Sequence, residues 1–370
     1  MIGLATVCSY FSLVFAATKS FPQYIGIASG TSMSIFGLSP FFLSLVASEY
    51  FTPPGRTLDV ASFFAFMAML TGVVHVFSTL VFRTTPITQE SPDDERRVGE
   101  GPSTSAGPSE AVGASEEAEP LLAKPKDSTI VRVVRVQEPQ HGSTLDLFKD
   151  PYFWILCLWM LLVVGAAEMV VSNLGSIVLT LPSSTSSDTT ANVSRQVRLL
   201  SFFNTASRLV MGPLADLLAP VASHFEGVWS FTRRRHLSRV VFLFTTSLIL
   251  ALTFTWVEVG IRTQEAIWPL SVGIGIAYGS TFTVLPGILS SIWGLPNLGR
   301  NFGIISYTAF VGTTIFSYIY AFIAARHVPP GENACVGTEC WRTTFWASTA
   351  ASLVACCAAL VLWKKWRHRV

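Results

Sequence analysis

Two side chains carry charge deep inside otherwise apolar stretches of this 370-residue chain: Glu168 and Arg208. A charge at mid-depth in a membrane costs roughly 3 kcal/mol or more, so it is retained for a pairing or a pathway. A guanidinium offers a fork of donors suited to a carboxylate. A carboxyl in the same pocket can carry a proton. The reading is that both face a central cavity, with Arg208 holding an anionic solute and Glu168 moving a proton. The bland alternative is a static ion pair that fixes helix packing. Asn204 lies four residues before Arg208, on the same helix face, and is expected to line the same cavity. Asn173 is five residues after Glu168 and is expected to bond a neighbouring helix. His75 is a candidate proton relay, with a local hydrogen bond as its plainer role.

The elements that must position these groups follow from composition. Half of the residues are hydrophobic and 13% are charged, against about 25% in soluble domains. Of the 48 charged side chains, 20 fall within residues 84–150. A water-soluble enzyme is excluded, and a net charge of +2 gives no nucleic-acid footprint. Apolar runs of about 20 residues predict nine membrane helices, at 1–17, 25–47, 61–82, 152–180, 196–218, 238–258, 266–291, 302–325 and 343–363. Glu168 then lies as far before the end of its helix, at position 180, as Arg208 lies after the start of the next, at position 196. With the same rise of ~1.5 Å per residue in both helices, the two side chains come to the same depth.

Lys and Arg in the short loops set the orientation. Ten basic residues lie on one side, among them Lys19, Arg233, Arg234, Arg235, Arg239, Arg300 and Lys364; five lie on the other. The larger set places the C-terminus and the polar segment in the cytosol. Residues 84–150 read as a disordered cytosolic linker rich in Glu, Ser, Gly and Pro. It separates three helices, residues 1–83, from six, residues 151–370. Within it, Glu117, Leu121 and Leu122 have the spacing of an acidic dileucine sorting signal. On the non-cytosolic side, Cys335 and Cys340 are a disulfide candidate. The sequon at Asn192 is a glycosylation candidate there.

An internal repeat links the two parts. At one constant offset in numbering, Gly26 aligns with Gly299 and Gly30 with Gly303. Both pairs follow a Pro-containing turn and open a span, where they let helices approach closely. Spans 1–3 then match spans 7–9 in the same orientation, as in parallel repeats. The expectation is a twelve-helix protein of which nine are present, the first three being absent.

The run from Tyr10 to Lys19 and the following FPQYIGIASGTSMSIFGLSPFFLSL resemble the fungal transporters named as monocarboxylate-transporter homologues, related to nodulin-like facilitators. Gly165–Met169 with Asn173-Leu174-Gly175 is similar to that family's seventh helix. Asn204, Arg208, Gly212 and Asp216 at four-residue spacing are similar to its eighth. The resemblance implies an all-α membrane protein of the major facilitator superfamily. It implies a secondary active transporter of a small, monocarboxylate-like solute in the vacuolar membrane, the plasma membrane being the alternative site. It also implies that Gly212 and Asp216, with a displaced basic part at Arg233, Arg234 and Arg235, form a conformational latch; membrane-side anchoring explains the arginines equally well. No metal-ligand spacing, phosphate-binding loop or nucleophile motif is present, so no cofactor, no metal and no enzyme activity are expected. The driving force would be an ion gradient, the proton first, and the expected partners are a solute and the bilayer, with the chain a monomer. A second class stays open: a non-transporting membrane protein, either a sensor or an inactive truncated fragment.

Overall fold

A computed structural model describes residues 2–21, 24–52, 59–81, 143–183, 189–220, 222–225, 228–231, 237–331 and 334–367. In chain order the elements are α1 (Ile2–Ser20), α2 (Ile25–Tyr50), α3 (Val60–Val81), α4 (Thr144–Lys149), α5 (Pro151–Leu179), α6 (Thr189–Leu218), β1 (Ala222–Phe225), β2 (Val228–Phe231), α7 (Val240–Gly260), α8 (Trp268–Trp293), α9 (Leu298–Arg326) and α10 (Arg342–Trp366). All of these helices except the short α4 are long, nine among the described residues. Among the described residues, seven stretches are long and apolar enough to cross a membrane; they contain α2, α3, α5, α7, α8, α9 and α10. The architecture is the helical membrane fold expected from composition. Its surface agrees: Leu252, Val259 and Tyr307 are among many large side chains left exposed, which lipid rather than water would cover.

Two differences have clear physical origins. The helix carrying Arg208 starts at Thr189, not near 196. Its first turns, TTANVSR, are too polar to read as a span, but polarity does not end a helix. Beyond α6, where the sequence showed only the displacement of the basic residues, β1 and β2 pair antiparallel with Ala222 opposite Phe231 and Phe225 opposite Val228.

Local chemistry fixes the helix ends. The Asp150 side chain accepts from the Tyr152 N–H at 2.9 Å, with Pro151 in the first helical position of α5. Ser143 and Asp146 form a reciprocal capping box on α4, inside the segment read as linker. Gly294 ends α8 at φ 84°, a left-handed conformation that glycine adopts without strain. Helix α2 begins at Ile25 and α9 at Leu298, which is the same offset as that of the repeat.

The chain divides into two compact units. The smaller, Phe51–Ile130, contains α3. There Asp59 accepts from the Ser62 N–H and hydroxyl, capping the helix, and Phe51 packs against Phe63 and Phe66. The larger, Met1–Tyr50 with Val131–Val370, holds the site described below. In it α5 crosses α9 where Gly165 meets Gly312; a Cβ on Gly165 would lie 2.6 Å from the Gly312 backbone. Most interior hydroxyls are satisfied locally, as Thr246 by the Phe242 carbonyl, or across helices, as Ser247 by the Trp159 indole N–H at 2.8 Å; Thr344 Oγ1 is buried without a partner.

Candidate functional site: a charged cavity and a buried ion pair

Residues of α1, α2, α5, α6, α8 and α9 line a partly open cavity of about 400 Å³. Glu168 from α5 and Arg208 from α6 both line it. They are brought together although the helix bearing Arg208 starts two turns earlier than the depth argument assumed, because that extra helix lies beyond the apolar span. Arg208 is 1% exposed. Its Nε donates to Asn204 Oδ1 at 3.0 Å and its Nη1 reaches the Tyr10 hydroxyl at 3.5 Å. The guanidinium carbon sits 5.8 Å from the centre of the Phe282 ring. Tyr278 lines the cavity beside Glu168, whose Oε2 is buried with no hydrogen-bond partner. None of the ion pairs among the described residues joins Glu168 to Arg208. The geometry is a cation and a carboxyl in one cavity, with the Tyr10 phenol at the guanidinium and the Tyr278 phenol in the same lining.

The other candidates are placed differently. Asn204 is absent from the cavity lining. It packs against Gly37 of α2 and Gly279 of α8, where an added Cβ would lie 3.0 Å from the Asn204 Nδ2 and 2.5 Å from the Asn204 carbonyl oxygen, and its Oδ1 accepts from Arg208 Nε. Asn173 does not reach a neighbouring helix: its Nδ2 donates to the Met169 carbonyl of its own helix at 2.8 Å. His75 lies in the smaller unit, and its Nδ1 is 2.9 Å from the Thr71 carbonyl one turn back. Asn192 is buried, and its Nδ2 donates to Gln264 Oε1 at 2.9 Å. Cys335 and Cys340 are joined by a disulfide, with Cα atoms 5.8 Å apart. Glu117, Leu121 and Leu122 lie outside the described residues.

The turn motif has a defined geometry. Asp216 sits near the end of α6 and is 7% exposed. Its Oδ1 and Oδ2 accept from the N–H groups of Gly26 and Ile27, at 3.1 and 2.8 Å. These are first-turn donors of α2, which have no partner within their own helix, and the carboxylate also meets the positive end of the helix dipole. The base that pairs with Asp216 is Arg239, Nη2 to Oδ1 at 2.5 Å. The expected bases, Arg233, Arg234 and Arg235, lie outside the described residues. Arg239 Nε donates to the Ala219 carbonyl just past α6 at 2.7 Å. Its Nη1 is buried without a partner and lies over Gly287 of α8. One carboxylate and one guanidinium thus join α2, α6, α7 and α8. Gly212 lets the α2 backbone approach, since a Cβ there would lie 2.5 Å from the Gly26 carbonyl oxygen; Gly30 does the same against the Arg208 carbonyl. The matched glycines behave otherwise. A Cβ on Gly299 would meet only the Phe15 ring, at 3.6 Å, and one on Gly303 would meet nothing within 4 Å.

Tyr10, Tyr278 and Arg239 were not singled out as functional residues by the sequence. Tyr278 had a usable signal: a phenol deep in an apolar span must find a polar partner. Arg239 was masked by the basic-loop pattern that explained it.

The helices and the cavity define a polytopic membrane protein with a charged, aromatic-walled internal site. The protein named probable transporter MCH1 of Gibberella zeae is 30% identical over 403 residues, which cover all of this chain and 69% of that protein. Those of Neurospora crassa and Emericella nidulans are each 28% identical, over 98% and 100% of this chain. The chain belongs to this family of fungal probable transporters. No family model matches it.

Proposed function

We propose that the chain works as a secondary active transporter of the major facilitator type, moving a small anionic, monocarboxylate-like solute across an internal membrane, the vacuolar one first. The observation that supports this reading is the pairing of Arg208 and Glu168 in one cavity with no ion pair between them. A static packing pair would be closed. Here Arg208 is held from behind by Asn204 and flanked by Tyr10, which leaves it poised for a carboxylate. Glu168 keeps one oxygen buried and unpartnered, as a proton carrier between loaded and unloaded states does.

In this reading the solute carboxylate docks on Arg208 and a proton rides on Glu168. Both groups then pass from one side to the other as the bundles rock around the site. The Asp216–Arg239 latch breaks and reforms in that motion: removing Asp216 from the α2 N–H groups frees α2 from α6. The coupling is electrostatic, because a cavity holding Arg208, a carboxylate and neutral Glu168 is closer to charge balance than one holding an ionised Glu168 as well.

The test is solute-dependent proton movement in proteoliposomes of the whole chain with a pH dye inside. Adding a monocarboxylate panel outside should acidify the lumen faster than in protein-free vesicles. Arg208→Ala should slow the protein-dependent part by about tenfold or more, the worth of one charge-assisted hydrogen bond. Equal rates for wild type and Arg208→Ala would contradict the reading.

A further inference from the structure

The polar equipment of the cavity is confined to one corner. Arg208, Glu168, Tyr10 and Tyr278 supply it, with Arg208 Nη1 reaching the Tyr10 hydroxyl at 3.5 Å. Two further hydroxyls line the cavity, but both protons are committed to their own helix: Ser306 Oγ donates to the Phe302 carbonyl at 2.8 Å and Thr313 Oγ1 to the Ala309 carbonyl at 2.9 Å. The remaining wall is Phe11, Phe36, Phe282, Phe310, Val164 and Ala309. The aromatic faces begin beside the charges, with Tyr10 4.7 Å from Phe36 and Tyr278 4.8 Å from Phe282 between ring centres.

The size argues in the same direction. About 400 Å³ falls within the roughly 300–1,000 Å³ range of pockets that enclose drug-sized ligands. It has room for about a dozen waters at ~30 Å³ each. A three-carbon acid would displace few of them and leave the rest against phenyl rings that offer no strong hydrogen bond. A polyol would find its hydroxyls facing donors that are already spent. One head group at Arg208 with an apolar ring behind it uses both halves of the lining.

We propose that this cavity selects carboxylic acids carrying an aromatic or comparably bulky apolar body over short hydroxy- and keto-acids. The proposal rests on the reading of Arg208 as the anion site. The ring stacks among Phe36, Phe282 and Phe310, and the carboxylate meets the guanidinium.

The experiment is equilibrium binding of radiolabelled 3-phenylpropionate to the detergent-solubilised full chain, with unlabelled L-lactate and 3-phenylpropan-1-ol as competitors. The expected result is that 3-phenylpropionate competes about tenfold or more better than L-lactate, from burial of the ring. The alcohol should compete weakly, and Arg208→Gln should abolish binding. Phe310→Ala, a change at a side chain that is 68% exposed and therefore tolerated by the fold, should lower the ratio of ring acid to lactate affinity. Equal competition by lactate and the ring acid, with both lost in Arg208→Gln, would overturn the selectivity and leave the anion site standing. An unchanged ratio in Phe310→Ala would also overturn it. Ring-acid binding that persists in Arg208→Gln, or no binding of either acid, would overturn the anion site and the selectivity together.

Discussion

Arg239 pairs with Asp216 while its guanidinium packs against Gly287, where an added Cβ would overlap Nη1 and crowd the guanidinium carbon at 2.9 Å. The pair is buried on both sides, the side chains being 1% and 6% exposed. Removing one partner of such a pair strands the other charge and costs about 3–5 kcal/mol. Asp216→Ala also leaves two first-turn N–H groups of α2 without an acceptor. It should therefore lower the midpoint of thermal unfolding in detergent more than Arg239→Ala does, since Arg239 loss leaves Asp216 its two N–H donors.

Gly287→Ala should act through the same pair. Its cost should approach that of Arg239→Ala, and the double variant should be little worse than either alone, the signature of a shared interaction in a double-mutant cycle. Gly303→Ala is the matched control. With nothing within 4 Å of the added carbon, it should be neutral or slightly stabilising, by up to ~1 kcal/mol of helix propensity. A destabilisation at 303 equal to that at 287 would show that helix glycines, not the Arg239 contact, set the effect.

Asn192 should behave as an interior residue. Gln264 takes the Asn192 amide proton on Oε1 and gives its own Nε2 proton to the Leu181 carbonyl at 2.8 Å, tying the start of α6 to the end of α5. Asn192→Ala should cost about 1–3 kcal/mol from the stranded acceptor. The chain produced in a glycosylating host should show no mobility change on glycosidase treatment.

The disulfide closes a small loop, its cysteines five positions apart. Chain-entropy reasoning assigns a loop of that size about 2 kcal/mol. Reduction under native conditions should lower the unfolding midpoint modestly and leave solute binding at the cavity intact.

How much of this was legible in the residues depended on how strongly each one violates its setting. Glu168 and Arg208 stood out because a charge in an apolar run is costly, and they line one cavity. The helical membrane architecture followed from the same scarcity of charge, and the start of α9 at Leu298 from the offset of the repeat. Asp216 was visible as part of a turn motif, but its partner was not. Arg239 sits among basic residues that membrane orientation already explains, so nothing marked it as the one that turns inward. Periodicity could place Asn204 on the face of Arg208 but could not say that Asn204 would stand behind it, since that depends on Gly37 and Gly279 leaving space on either side. The repeat likewise aligned Gly303 with Gly30 without distinguishing a crossing helix from an open face. The strand pair β1–β2 was missed because four-residue strands carry too little pattern to separate from a loop.

The central claim is that Glu168 carries the proton while Arg208 carries the anion. The most direct measurement compares exchange with accumulation in Glu168→Gln proteoliposomes under an imposed pH gradient. The account predicts that labelled solute still exchanges across the membrane at equal concentrations, while pH-driven accumulation is lost. Accumulation that persists in Glu168→Gln would contradict it.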